Sequence, residues 1–369
     1  MAGIFKAYDI RGIYGDTLTD DTAFAVGRAF ATFLRCRKVV VGRDMRPHSK
    51  PLFTALAKGL TMQGAEVIDL GLCSTPMVYF ANGKLGADGS IMITASHNPA
   101  EWNGFKLCRE KAIPISGATG IQEIERIVTA HDFAPVAHRL GAIRPLDIQA
   151  DYASHIRRFA DVRRPLRIAV DYANAMGICE GRTLDGLVAV DPLFDTLDGT
   201  FPHHEANPLK EETLRDLQQK IRSGRYDFGV AFDGDADRAG FVDERANIIP
   251  MDMITALIAQ MMLKKEKGTI LYDLRSSWAV REIIKENGGK PLMSRVGHAF
   301  VKQQMREVNA MFAGELSGHY YFRENYFTES SSLAALCVAA LVSQSDKPLS
   351  ELIRPLRRYF ERRDQLRGP

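Results

Sequence analysis

The sequence predicts an α/β protein built from three consecutive units. Three observations lead there. Short runs rich in β-branched residues alternate with helical stretches of about 10–15 residues, the mark of layered sheets and helices. A fresh strand–helix series starts after an irregular stretch at 131–145, and another starts near 247. The length, 369 residues, fits two or three domains. The divisions are placed at 1–145, 146–246 and 247–369.

In the first unit, Phe5 to Gly12 is extended and ends in Tyr8-Asp9-Ile10-Arg11-Gly12. Thr19 to Cys36 has helical periodicity, with Asp20 or Asp21 as its cap. Lys38 to Gly42 is a strand, Pro51 to Gln63 a helix stopped by Gly64, and Glu66 to Gly71 the next strand. Thr75-Pro76 opens a helix with proline in its first turn. Gly89 to Ile93 is a strand that runs into Thr94-Ala95-Ser96-His97-Asn98-Pro99, and Phe105 to Leu107 returns. Ile121 to Ala130 is helical, and 131–145 reads as a linker.

In the second unit, Ile148 to Phe159 is helical and Leu166 to Asp171 a strand. A helix is expected from Pro208 to Ser223, then a strand from Tyr226 to Phe232, with Gly240 to Asp243 returning. In the third, Ile249 to Leu263 is an apolar, Met-rich helix whose methionines read as core filler. Strands at 268–273, 291–296 and 311–313 alternate with helices at 278–287 and 299–307, and Ser332 to Ser343 is helical. The end, Arg354 to Arg367, holds six arginines and reads as a solvated face or tail.

Composition narrows the function classes. A net charge of +3 gives no electrostatic footprint for nucleic acid or an anionic membrane. No run of about 18 apolar residues suggests a membrane span, and the first residues have no secretory h-region. Five scattered cysteines without a CxxC fit reduced, buried thiols of a cytoplasmic protein.

Three stretches carry chemistry. Asp233-Gly234-Asp235-Ala236-Asp237-Arg238 follows the apolar run Phe228 to Phe232. A buried strand feeding three alternate carboxylates aims hard oxygen ligands at one spot, which suits Mg²⁺ or Ca²⁺. Asp233, Asp235, Asp237 and Glu244 also occupy positions one, three, five and twelve of an EF-hand-like loop. Arg238 stands where that loop needs glycine, and a strand precedes it. Ser96, at a strand–loop junction, has the chemistry of a nucleophile or phosphate acceptor, or of a turn-capping residue. Gly314-Glu315-Leu316-Ser317-Gly318-His319 frames a carboxylate, a hydroxyl and an imidazole between glycines, equipment for gripping sugar hydroxyls or simply a polar β-turn.

Together with Lys6 to Gly12, Asn103 to Lys106 and Arg295 to Lys302 around His298, these motifs stand in the order and spacing of a known family. The sequence resembles the α-D-phosphohexomutase superfamily, in its bacterial phosphomannomutase/phosphoglucomutase type, over nearly its whole length. The resemblance implies three α/β domains, each a mixed sheet packed between helices, with the active site in the cleft between them. It implies transfer of a phosphoryl group between C1 and C6 of a mannose or glucose phosphate, through phosphoserine at Ser96 and a hexose 1,6-bisphosphate. Mg²⁺ would be held by Ser96, Asp233, Asp235 and Asp237, with glucose or mannose 1,6-bisphosphate as activator.

By the same resemblance, Arg11, Lys106, Arg238 and His298 handle the proton and the developing charge. Tyr8, His97, Asn98, Arg275, Glu315, Ser317 and His319 contact or frame the substrate. Arg275 stands where lysine is usual, and Thr328-Glu329-Ser330-Ser331 where Asp-Ser-Gly is more frequent. The family's fourth domain, with its Arg-x-Ser-(Asn/Gly)-Thr-Glu-Pro phosphate clamp, is expected to be absent. The implied partners are small sugar phosphates, and the implied assembly a monomer or dimer. The alternatives are a weakly active or non-catalytic sugar-phosphate-binding remnant and a phosphoglucosamine mutase. Leu316 is closer to the methionine of the mannose/glucose type than to the glutamine of the glucosamine type.

Overall fold

The structure, a computed structural model, describes residues 3–159 and 161–359. The first sheet contains β1 (Ile10–Ile13), β2 (Lys38–Arg43), β3 (Glu66–Leu72), β4 (Gly89–Ile93), β5 (Trp102–Arg109) and β6 (Ile143–Pro145), in the order β1-β5-β4-β2-β3-β6. The second contains β7 (Arg167–Asp171), β8 (Ala189–Leu193), β9 (Phe228–Phe232), β10 (Ala239–Asp243) and β11 (Ile248–Ile249), in the order β11-β10-β9-β7-β8. The third contains β12 (Thr269–Asp273), β13 (Lys290–Ser294), β14 (Phe312–Gly314), β15 (Tyr320–Phe322) and β16 (Thr328–Glu329), in the order β13-β12-β14-β15-β16.

All three sheets are mixed and repeat one plan. Three parallel strands are joined by crossovers, and the last turns back as an antiparallel hairpin: β4 to β5, β9 to β10 and β14 to β15. Buried parallel strands need apolar side chains on both faces. Accordingly β4 and β9 are buried at every position.

Some elements differ from the sequence reading. The first helix, Asp20–Leu34, is capped by Thr19, whose side chain accepts from the Thr22 amide. The expected linker is docked rather than free. Ala134 donates its amide to Thr32, and residues 143–145 form the edge strand β6, parallel to β3. Proline fits there because an edge strand leaves one side unpaired. Strand β8 was not expected at all. The helix expected from Pro208 begins as a short 3₁₀ turn at Glu211–Leu214 and becomes α-helical only over Arg215–Ser223. Ile248 and Ile249 pair with β10, and the Met-rich helix starts at Met251 behind Pro250. The arginine-rich end beyond Tyr359 lies outside the described residues. The five cysteines are free and buried. Among the described residues, no helix is long and apolar enough to cross a membrane.

One apolar cluster runs through all three units, from Met77 and Phe80 through Tyr152 and Phe228 to Leu257 and Leu333. Polar groups are buried at the same junction. Lys302, from the helix His298–Glu307, meets Glu329 of β16 at 2.7 Å with both side chains fully buried. Its ammonium also sits 3.9 Å from the ring centre of Tyr79, in the helix Thr75–Leu85 of the first unit. Removing one partner of a buried pair leaves the other charged and unsolvated. Lys302→Met is therefore expected to destabilise the protein by about 3–5 kcal/mol, read as a lower urea-unfolding midpoint. An unchanged midpoint would show that Glu329 finds solvent or another donor.

Candidate active site

Each of the three chemical stretches occupies the turn at which a sheet reverses direction. Residues 94–101 join β4 to β5, residues 233–238 join β9 to β10, and residues 315–319 join β14 to β15. The sheets face these turns towards one another. Thr75 N donates to the Asp235 carbonyl at 3.0 Å, Ser331 Oγ to the Ala236 carbonyl at 2.6 Å, and Ala239 N to the Gly318 carbonyl at 3.0 Å.

Ser96 is buried, with φ of 53° in the left-handed region that side chains rarely adopt. Its amide donates to Thr94 Oγ1 at 2.9 Å. Its carbonyl, with those of Asn98, Pro99 and Trp102, accepts from the buried Arg46 guanidinium at 2.6–3.1 Å. Asp44 holds Arg46 at 3.1 Å, and Ser49 in turn donates to Asp44 at 2.5 Å. Sequence reading missed this staple. Its one visible signal is the pair Asp44 and Arg46 at the end of a buried strand. Gly234 lies directly against the loop, where a Cβ would collide with the Ser96 carbonyl oxygen. That contact explains the glycine between the first two carboxylates.

The three carboxylates are buried, and each offers an oxygen within 4.8 Å of the others. Ser96 Oγ donates to Asp233 Oδ2 at 3.0 Å. Lys106, on β5, places Nζ 2.5 Å from both Asp235 Oδ2 and Asp237 Oδ2. Asp235 Oδ1 is buried and has no hydrogen-bond partner among the described residues. An orphaned carboxylate oxygen beside two more carboxylates fits a hard divalent cation with oxygen ligands. The charges agree. Burial, then the Asp237 and Asp235 charges, push Asp233 up to about 8. Burial would raise Asp237 too, but Lys106 and His319 hold it well below the usual range. Burial opposes the charge on Lys106, yet Asp235 and Asp237 raise its pKa, so it stays an ammonium.

In front of this cluster lies a cleft of about 500 Å³. Tyr8, Arg11, Ser96, His97, Lys106, Asp237, Arg238, Arg275, His298, Glu315, Ser317 and His319 line it, so twelve of the expected site residues converge on one space. Asp233 and Asp235 are fully buried and outside the lining, and Asn98 also stands outside it, accepting from Arg11 Nη1 at 2.5 Å. Asp9 takes the other edge of Arg11 at 2.7 Å, so the guanidinium is fixed in direction. Arg275 is held by the buried Asp273 at 2.6 Å, and the same carboxylate accepts from the Leu316 amide at 2.9 Å. Asp273 thus ties the cation to the third loop, a role invisible in the sequence.

Two imidazoles are neutral and one is charged. Burial and then Arg238 lower His97 to about 3, and its Nδ1 lies 3.2 Å from Ser96 Oγ. Burial and then Lys302 hold His298 well below its ordinary value. His298 Nδ1 is buried without a hydrogen-bond partner among the described residues, and its ring meets the edge of Tyr8 at 5.8 Å. For His319, burial would lower the pKa, but Asp237 raises it to about 9. Its Nε2 is 3.2 Å from Asp237 Oδ1 and its Nδ1 3.3 Å from Glu315 Oε2. Arg238 Nε also stands 3.2 Å from Nε2. With the ring protonated, the Asp237 contact is the hydrogen bond, and Arg238 is a second cation set beside it, an arrangement that favours an anion in the cleft. Burial would raise Glu315, but His319 and Tyr321 bring it down to about 2.

Comparison with known proteins places this architecture. Models of phosphoglucomutase/phosphomannomutase α/β/α domains I, II and III match residues 2–135, 150–246 and 250–359. The chain belongs to the phosphoglucomutase/phosphomannomutase family, within the α-D-phosphohexomutase superfamily. A phosphomannomutase of Escherichia coli K12 is 40% identical over 361 residues, covering 95% of this chain and 79% of the relative. A phosphoglucomutase of Neisseria gonorrhoeae is 39% identical over 356 residues, covering 94% and 76%. The crystal structure of a phosphoglucomutase/phosphomannomutase family protein from Burkholderia thailandensis superposes with a TM-score of 0.90 at 34% identity, covering 96% of this chain and 79% of that one. Membership makes the chain a hexose-phosphate mutase, an isomerase. The EF-hand reading fails on topology: the carboxylates sit in a β-hairpin turn, and Glu244 is bound by the Ser350 amide at 3.0 Å.

The His319 bridge has a pH signature. Its pKa is raised above the ordinary 6.5, so its contribution is complete below pH 6.5 and is lost as pH rises through about 9. Glu315 is depressed, so its share is complete above 4.5 and is lost only as pH falls through about 2. Melting temperature measured in chelator should therefore fall more steeply between pH 6.5 and 9 in the wild type than in His319→Asn. Parallel curves would contradict the charged bridge.

Proposed function

We propose that the chain moves a phosphoryl group between C1 and C6 of a mannose or glucose phosphate, through phosphoserine at Ser96 and a hexose 1,6-bisphosphate. The carrying observation is the placement of Ser96. Its hydroxyl, on a left-handed backbone stapled by Arg46, lies 3.0 Å from a cluster of three carboxylates and opens on a cation-lined cleft. An N-acetylphosphoglucosamine mutase of Aspergillus fumigatus, 16% identical with a TM-score of 0.54, was solved with GlcNAc-6P and magnesium, and a variant of it with glucose 1,6-bisphosphate.

On this reading Asp233, Asp235 and Asp237, with an oxygen of the phosphoryl group on Ser96, hold Mg²⁺. The ion supplies neutralisation of charge on the transferring group. The C6 hydroxyl of a hexose 1-phosphate attacks the phosphorus on Ser96, and the P–Oγ bond breaks with its electrons going to Oγ. The hydroxyl proton passes to His298, which is neutral and has a free buried nitrogen. Lys106 remains an ammonium and, with Arg238, stabilises the oxyanions rather than acting as a base. The bisphosphate then turns around. Oγ takes the C1 phosphoryl group, and the proton returns to the C1 oxygen. Glucose or mannose 1,6-bisphosphate activates by phosphorylating Ser96 anew.

Glu315 and Ser317 meet the sugar's ring hydroxyls in both orientations. With His319 protonated, Ser317 Oγ accepts from its Nδ1 at 2.9 Å and keeps its own proton for the cleft. Arg275, Tyr8 and His97 frame the same space, and Asn98 acts from behind it by holding Arg11. The roles divide over the three units at 1–145, 146–246 and 247–369: phosphoserine, metal and sugar. Buried free thiols suit a cytoplasmic setting.

Ser96→Ala should lower turnover of glucose 1-phosphate by more than about a thousandfold while leaving circular dichroism and melting unchanged. Turnover within tenfold of wild type would overturn the nucleophile assignment.

A further inference from the structure

The metal-loop carboxylate that stands apart from the other two is Asp235, because two residues of the first sheet's domain grip it through three hydrogen bonds, two from Thr75 and one from Lys106. Thr75 is the first residue of the helix Thr75–Leu85, fixed in place by Pro76 and by the Ser74 cap. It is fully buried. Its hydroxyl donates to Asp235 Oδ2 at 2.5 Å, and its amide donates to the Asp235 backbone carbonyl at 3.0 Å. Lys106 Nζ takes the same Oδ2 at 2.5 Å. Both lone-pair directions of Oδ2 are therefore occupied, and Oδ1 is left buried with no hydrogen-bond partner among the described residues.

A carboxylate with one oxygen saturated and the other bare is restricted to binding a cation through a single oxygen in a single direction. Mg²⁺ demands near-octahedral geometry and tolerates little error in ligand direction, whereas a larger cation accepts a carboxylate swung round to offer both oxygens. Hydrogen bonds behind the ligands of a metal set such directions. We infer that Thr75 is the positioning residue that makes Asp235 a one-oxygen ligand, and so sets both the affinity of the site for Mg²⁺ and its preference for Mg²⁺ over Ca²⁺. This rests on the metal-dependent reading of the site given above. It also couples the metal to the domain carrying Ser96, since the helix that bears Thr75 belongs to that domain.

The threonine hydroxyl can be removed with little change of shape in Thr75→Val, removed with its methyl in Thr75→Ala, and kept in Thr75→Ser. Binding of Mg²⁺ and of Ca²⁺ to chelator-stripped full-length protein is measured by isothermal titration calorimetry, with melting curves to verify folding. The expected result is a 10–100-fold weaker Mg²⁺ affinity for the valine and alanine variants, the range for losing a partner behind a metal ligand, with Ca²⁺ less affected. Thr75→Ser should stay within about threefold of wild type. In turnover, the Mg²⁺ concentration for half activity should rise while KM for the hexose phosphate holds. Folded valine or alanine variants that bind Mg²⁺ as tightly as wild type would overturn the role of Thr75 alone. So would a serine variant as weak as the valine one. Wild-type protein that binds no Mg²⁺ would overturn the metal reading as well.

Discussion

The structure depends on the contact between one ammonium and two of three clustered, buried carboxylates. Asp233, Asp235 and Asp237 lie at the end of a strand buried at every position, where repulsion is only weakly screened by water. Lys106 answers two of them at 2.5 Å, and it comes from another sheet. The pairing thus seats the first domain on the second at the point where phosphoryl transfer is proposed. Loss of charge on either side would leave the other buried without a partner, the costly way to break such a pair. What makes the site attractive to a divalent cation is the repulsion that remains, which pushes Asp233 up to about 8, together with the bare Oδ1 of Asp235.

Around that contact the three sheets apply the same solution. In each, a parallel strand delivers its chain to the sheet's end, and a short turn reverses it into a hairpin. Ser96, the three aspartates and Glu315 sit in these three turns. A turn anchored on two hydrogen-bonded strands holds a side chain more firmly than a free loop does. Cross-links to the Asp233–Arg238 turn and its outgoing strand, from the helix starts at Thr75 and Ser331 and from the Gly318 carbonyl, then tie the three domains together. His319 extends the link, since its two nitrogens join Asp237 of the second domain's turn to Glu315 of the third domain's turn.

Most of this was legible where side-chain chemistry itself carries the signal. The alternate carboxylates after Phe228 to Phe232, Ser96 after a β-branched strand and the glycine-framed Glu315 loop all announce themselves, and the structure brings them to one cleft. Arg46 did not, because four of its donors are used on backbone carbonyls, which carry no residue identity, and the fifth on Asp44. Thr75 looked like an ordinary helix start. Asp273 looked like the end of a strand, although it holds Arg275 and the turn at 315–319 together. Among elements, β6 was hidden by Pro145, which an edge position tolerates, and β8 by its half-exposed, proline-containing sequence. The helix expected from Pro208 starts late because Asn207 and Thr213 hydrogen-bond the local backbone in a turn, which competes with helix formation.

Phosphoryl transfer through Ser96 requires that this serine carry the phosphoryl group between the two half-reactions. Intact-mass spectrometry before and after incubation with glucose 1,6-bisphosphate and Mg²⁺ tests it most directly. The expected result is a gain of one phosphoryl group, mapping by peptide fragmentation to Ser96 and reversed by excess hexose phosphate. No gain, or a phosphoryl group on any other residue, would contradict it.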